Sequence, residues 1–433
     1  QIENTHVITT DRKLAEQIVD RWKGRPVEKI RPLSENRKFV TIMNRCRGTK
    51  DTPPDLRLFI DPIEMTRSLS RGNVGMQTAI NFLPALGLDG LLGIGGAAIF
   101  NEMDFESVTH IHALLANPRA GILEMIALKP GDYKPEKWVP AGAASYISTS
   151  WDVPKMFAEL NKMVDFFMGA EGMFKEQIQK NVNEQLEINF EEDFLPALSG
   201  RVTVVSWVDA ESNAFNAQVN GVAVGLKDVE KAEKLIEKIR ERVERDNNSE
   251  EERMVEDTYN GVKIYSSNNT RDRERLEAAR EQGNLRISVR APEPSFAIID
   301  DTFVFGDSKQ FIETCIDTAK GKKASLAEDE EFLSVTKKMT KLLGTDMPAG
   351  IVYSQPGPTI EMLLKMAKGE DVNNLLDEQE EDNKYLSRLK EGLKKNPIPD
   401  YNDVKDYFKA SGGFITADDT GYHWLQFQLK SDK

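Results

Sequence analysis

Ser145-Tyr146-Ile147-Ser148-Thr149-Ser150-Trp151 mixes β-branched and aromatic residues with small polar ones, as a strand does. Pro154 follows, and an apolar helical stretch runs from Met156 to Phe167. Proline suits a first helical turn, where its missing N–H costs nothing. The same succession of strand, proline and helix is predicted at residues 54–59, with Ile63, Glu64, Met65 and Leu69 on the helix. It is predicted again at residues 347–352, followed by Ile360, Glu361, Met362 and Met366. Phe82-Leu83-Pro84-Ala85-Leu86 reappears as Phe194-Leu195-Pro196-Ala197-Leu198. Each unit then closes on paired strands, 97–100 with 108–115, 202–208 with 214–226, and 413–417 with 423–429. Polar turn residues separate the pairs.

The pattern gives three units, at about 54–130, 143–226 and 347–430, with a connector at 227–346. The second half of the connector recurs ahead of the first unit, at about 5–47. Leu14, Ile18, Asp20 and Gly24 align with Phe311, Cys315, Asp317 and Gly321 at an offset of 297, and Leu33 and Phe39 align with Leu326 and Phe332 at an offset of 293. Both aligned stretches predict a strand, then a capped amphipathic helix, with Thr10 or Asp11 and Asp307 or Ser308 as caps. The expected fold is α+β: repeated units of antiparallel sheet faced by helices, with internal duplication. Residues 143–433 read as one complete copy, made of unit 143–226, connector 227–346 and unit 347–433. Residues 1–142 read as the latter part of a second copy whose first unit is absent. Gln1 is therefore expected not to be the natural start of the protein.

Gly93-Ile94-Gly95-Gly96-Ala97-Ala98 fits the spacing G-x-G-x-x-A of a dinucleotide-binding loop. That loop needs a strand before the glycines and a helix after them. Here an apolar strand and a polar turn follow instead, and Gly95-Gly96 aligns with Gly412-Gly413 of the third unit. The glycines therefore read as a strand entry or bulge, and no cofactor is expected.

Composition narrows the rest. The 433 residues, 39% hydrophobic and 30% charged, suit two to three soluble domains with a real core. A net charge of -14 with no basic patch argues against nucleic acid as a partner. The most apolar stretch, 82–100, carries Asp89 and five glycines, so no membrane span is expected. Cys46 and Cys315 exclude a disulfide framework and a multi-cysteine metal site, and their pairing is left open.

Few constellations carry chemistry. His110 and His112 share one face of a strand, and His423 lies in the corresponding strand of the third unit. They are weak metal candidates, because zinc needs a third and usually a fourth ligand, and the default is a solvated or hydrogen-bonded sheet histidine. The acidic clusters Glu191-Glu192-Asp193 and Asp377 to Asp382 lack calcium-loop spacing and read as solvated helix faces. Residues 240–257 read as a charged continuation of the helix at 229–243, and residues 271–282 as another charged helix. Met156, Met163, Met168 and Met173 run beside Phe157, Phe166, Phe167 and Phe174, a core face or a site for a greasy ligand. No G-x-S-x-G, H-E-x-x-H, G-x-x-x-x-G-K-[ST] or C-x-x-C is present, so no catalytic residue is named.

Three stretches, LPALGLDGLLGIGG (83–96), FAIIDDTFVFGDSKQF (296–311) and SLAEDEEF (325–332), resemble large exported proteins of planctomycete-type bacteria catalogued as a domain of unknown function. The resemblance implies an extracytoplasmic location, periplasmic or secreted, and an additional N-terminal portion with a signal peptide. It carries no catalytic residues. The leading expectation is a non-catalytic exported structural or binding protein that uses a repeated sheet and helix surface. Its partner would be another protein or its own missing N-terminal portion. The alternatives are a carrier of an apolar small molecule between sheet and helices, and an uncharacterised hydrolase.

Overall fold

Side-chain caps mark where the chain turns from strand to helix. Asp61 accepts from the Glu64 amide at 3.1 Å and Asp152 from the Lys155 amide at 3.2 Å. Each opens a helix with proline in its first turn, Pro62–Leu69 and Val153–Met168. The computed structural model describes residues 6–25, 27, 31–47, 53–209, 212, 216–246, 254–267, 270–282, 289–369 and 384–431. The acidic cluster at 377–382 lies outside the described residues.

Among the described residues, thirteen strands form one antiparallel sheet. They are β1 (Leu56–Ile60), β2 (Leu91–Phe100), β3 (Phe105–Leu115), β4 (Ser145–Ser150), β5 (Leu198–Val208), β6 (Gln218–Leu226), β7 (Met254–Tyr259), β8 (Val262–Ser267), β9 (Ser295–Ile299), β10 (Thr302–Gly306), β11 (Gly350–Ser354), β12 (Ser411–Asp418) and β13 (Gly421–Leu429). Their order across the sheet is β1-β2-β3-β13-β12-β11-β4-β5-β6-β10-β9-β8-β7. The fold is α+β, as expected. The strands of each sequence unit stay together as a three-strand meander. Like edges meet: third strand to third strand at β3–β13, and first to first at β11–β4.

One face of the sheet, here called the inner face, carries the main core. The helices Lys309–Ala319 and Glu330–Leu343 bury Phe311, Ile312, Ile316, Phe332, Val335 and Met339 against it. Burial of such side chains, at about 25 cal/mol per Å² of apolar area, is the main stabilising term. The helix Arg37–Arg45 covers β2 and β3 in the same way, burying Ile42. Phe39 meets Phe59 edge-on at 5.5 Å and 86°, and Phe332 meets Tyr353 at 5.2 Å and 75°. Cys46 and Cys315 are free thiols buried in separate clusters.

Three expectations need correction. The glycines of GIGGAA lie inside β2 and do not precede it. Gly95 sits directly under the helix Arg37–Arg45, where a Cβ would come within 2.6 Å of Ile42 Cγ2. Gly412 holds the same place under Val335. Glycine is there so that helix and sheet can approach. The stretch before the helix Arg12–Trp22 is irregular, although Asp11 caps the helix through the Lys13 amide at 2.8 Å. The charged helix ends at Asp246, and residues 254–259 form β7. There β-branched and aromatic residues with an Asn260-Gly261 turn outweigh the charge pattern.

Candidate functional site

The three candidate histidines do come together. Registry places His423 opposite His112, and His110 sits two residues along the same face of β3. His110 Nδ1 lies 3.2 Å from His423 Nε2. His112 is fully buried, and its Nε2 is 3.5 Å from Thr420 Oγ1. Arg45, at the end of the helix above, pairs with Asp418 and donates to Thr420 Oγ1 at 3.3 Å. Burial pushes the His423 imidazole down to about 4, helped by its two histidine neighbours. Burial lowers His110 and His112 as well, and the Arg45 cation adds to the effect on His112. The cluster is therefore neutral at physiological pH. Among the described residues no group of three or more His, Cys, Asp or Glu is placed to hold a metal ion.

The opposite, outer face of the sheet presents apolar side chains in transverse rows. One row passes through Leu58, Gly96, Ile111, Trp424, Ile415, Gly350, Thr149, Val202, Val224, Phe303 and Ile298, each registered against the next. At about 4.8 Å per strand it spans about 48 Å. A second row continues from Val352 through Ile147, Val204, Val222 and Phe305 to Phe296. Phe305 is 44% exposed and Leu58 56%, and Ile111, Trp424, Val204 and Val222 are exposed too. A third row is polar: Gln428, Ser411, Ser354, Ser145, Ser206 and Asn220.

The methionine and phenylalanine stripe splits between two roles. Phe157 packs with Phe174 and Phe190 in a small helical core. Phe166, Phe167 and Met168 are exposed, with Phe167 6.3 Å from the equally exposed Phe82. A separate groove of about 350 Å³ opens between the sheet and the helix Lys309–Ala319. Trp207 and Phe311, stacked at 4.4 Å and 14°, form its apolar wall, and Lys323 lines it as well.

Sequence reasoning missed one polar network on the inner face. Glu136 accepts from Thr203 Oγ1 at 2.7 Å and from Tyr146 OH at 3.1 Å, and pairs with Arg201 Nε at 2.9 Å. Arg201 also donates to Ser148 Oγ at 3.0 Å and Tyr146 OH at 2.9 Å. Each residue is ordinary in its own stretch, so only the strand register reveals the set. All its members are satisfied by one another, which suits a structural clamp better than a reactive site.

Residues 174–387 match the model of a family described as Protein of unknown function (DUF3352). No curated protein and no solved structure matches the chain. The DUF3352 region runs from the small helical core through β5–β10 to β11 and the helix Gly357–Ala367. It contains Trp207 and Phe311 of the groove and Val204, Val222 and Phe305 of the outer face. The three histidines, Glu136 and the glycines under the helix Arg37–Arg45 fall outside the DUF3352 match. Among the described residues, no helix is long and apolar enough to cross a membrane.

Proposed function

We propose that this is a non-catalytic binding protein, acting outside the cytoplasm, that receives the apolar surface of a protein partner on the outer face of its sheet. The observation that carries the reading is the registered apolar rows, with exposed side chains on β1, β3 and β13 and again on β5, β6 and β10. Contiguous exposed apolar surface of this kind marks interaction sites. A row about 48 Å long is too broad and open for a small molecule, which prefers an enclosed pocket. It matches the footprint of a protein, for which about 800 Å² per partner is usual. The extracytoplasmic part of the proposal rests on the sequence resemblance.

The test is binding of the apolar dye bis-ANS to the isolated chain. Dye should bind, and Val222→Asp with Phe305→Asp should weaken binding while the melting temperature holds. Absence of dye binding, or binding unaffected by the pair, overturns the reading. The groove beside Trp207 and Phe311 supports a second reading, a carrier of an apolar small molecule. A native mass spectrum heavier than the denatured one by a few hundred daltons would favour it.

A further inference from the structure

β1 is the last strand on its side of the sheet, and among the described residues nothing pairs with its outer edge. Its counterpart is β11. Phe59 opposes Gly95 in β2 and meets Phe39 edge-on, while Tyr353 opposes Gly412 in β12 and meets Phe332 edge-on. β11, however, is paired on both sides, with β12 and with β4. On its β4 side Tyr353 faces Tyr146, Val352 faces Ile147 and Ile351 faces Ser148.

A second mismatch lies nearby and is independent of the first. The helix Lys309–Ala319 buries Phe311, Ile312, Cys315 and Ile316 on β6, β8, β9 and β10. The aligned helix Arg12–Trp22 carries Leu14, Ala15, Ile18 and Val19 at those places, and no residue of it is buried. Leu14 and Trp22 are both exposed. The strand that pairs with β11 and the strands that receive the helix Lys309–Ala319 belong to one lobe, built from β4, β5, β6, β10, β9 and β8. The bare helix and the bare edge are the two places that a lobe of this build would cover.

We propose that the edge of β1 and the apolar side of the helix Arg12–Trp22 together dock a polypeptide lobe of that build. Its first strand adds antiparallel to β1, with an aromatic residue opposite Phe59 and an aliphatic one opposite Leu58. Its sheet face receives Leu14, Ile18 and Trp22. Main-chain hydrogen bonds along an open edge supply affinity, and the alternate side chains supply selectivity. A second copy of this chain is not the occupant. In each copy β4 is already paired with β11, and the lobe face is already covered by the helix Lys309–Ala319.

The experiment uses the full chain with a synthetic peptide of the β4 stretch, residues 143–152, and a scrambled peptide as control. Hydrogen exchange is followed in segments covering β1 and, at the opposite edge of the sheet, β7. The β4 peptide should slow exchange in β1 at least tenfold and leave β7 unchanged, and the scrambled peptide should do neither. No slowing in β1 overturns the proposal. So does a chain that sediments as a dimer with β1 already protected, because a second copy would then hold the edge.

Discussion

His110 and His423 touch across the seam where two meanders join, with Nδ1 of one 3.2 Å from Nε2 of the other. Among the described residues β3–β13 is the strand pairing between the first unit and the third, and these rings sit on that ladder. Burial is what keeps them uncharged.

That fixes a pH dependence. The unfolded chain, with histidines near 6.5, binds more protons than the folded chain, where His423 sits at about 4. Stability is therefore fully present above about pH 6.5 and is lost as pH falls toward 4, by on the order of 2 kcal/mol from His423. Urea midpoints measured from pH 7.5 to 4.5 should fall on this slope, and His423→Asn should flatten it. Equal slopes for the two proteins would remove the cluster as the cause.

Gly95→Ala should destabilise the protein. The new methyl group meets Ile42 Cγ2 at 2.6 Å and the Leu58 carbonyl at 2.8 Å, and a backbone oxygen cannot swing aside. Overpacking of this kind costs about 1–3 kcal/mol. Gly142→Ala, with nothing within 4 Å of its Cβ, is the control and should change little. Denaturant unfolding of the two variants checks it.

The two aligned helices should answer differently to the same truncation. Phe311→Ala opens a cavity under a side chain that is 1% exposed and should cost about 3–5 kcal/mol. Leu14→Ala, at 43% exposure, should stay within about 0.5 kcal/mol. A large loss at Leu14 would mean that the helix Arg12–Trp22 is already packed in the isolated chain.

Removing Glu136 should release the loop it holds. Glu136→Ala leaves Arg201 with its charge and without its carboxylate, a loss of about 3 kcal/mol for a pair this enclosed. Limited proteolysis should then cut within residues 129–141 faster than in the parent. An unchanged cleavage pattern would show that the clamp does not secure the loop.

How much of this was legible in the sequence depends on range. The caps and the proline openings follow from local spacing, and the helices Pro62–Leu69 and Val153–Met168 begin where the residues placed them. The sheet order was not legible, because pairing such as β3 with β13 joins residues some 300 apart and no local pattern encodes it. The glycines of β2 were read as a strand entry or bulge and lie within the strand, because a glycine that lets a helix approach closely looks the same in sequence as one that opens or kinks a strand. At β7, the Asn260-Gly261 turn was the available hairpin signal, and the run of charges before it hid it. The same charges line an edge strand, where Glu256 pairs with Arg240 and Lys263, and Asp257 with Lys309. His110, His112 and His423 were visible as a set. Their contact, and hence their neutrality, required the register.

The two ends of the sheet are unlike. β7 is lined by paired charges, and β1 offers exposed leucines and an edge that nothing pairs with among the described residues. If the lobe proposed above adds to β1, the sheet would be lengthened at the end that carries leucines and not at the charged end, so growth would stop after one addition and two open edges would not invite runaway stacking.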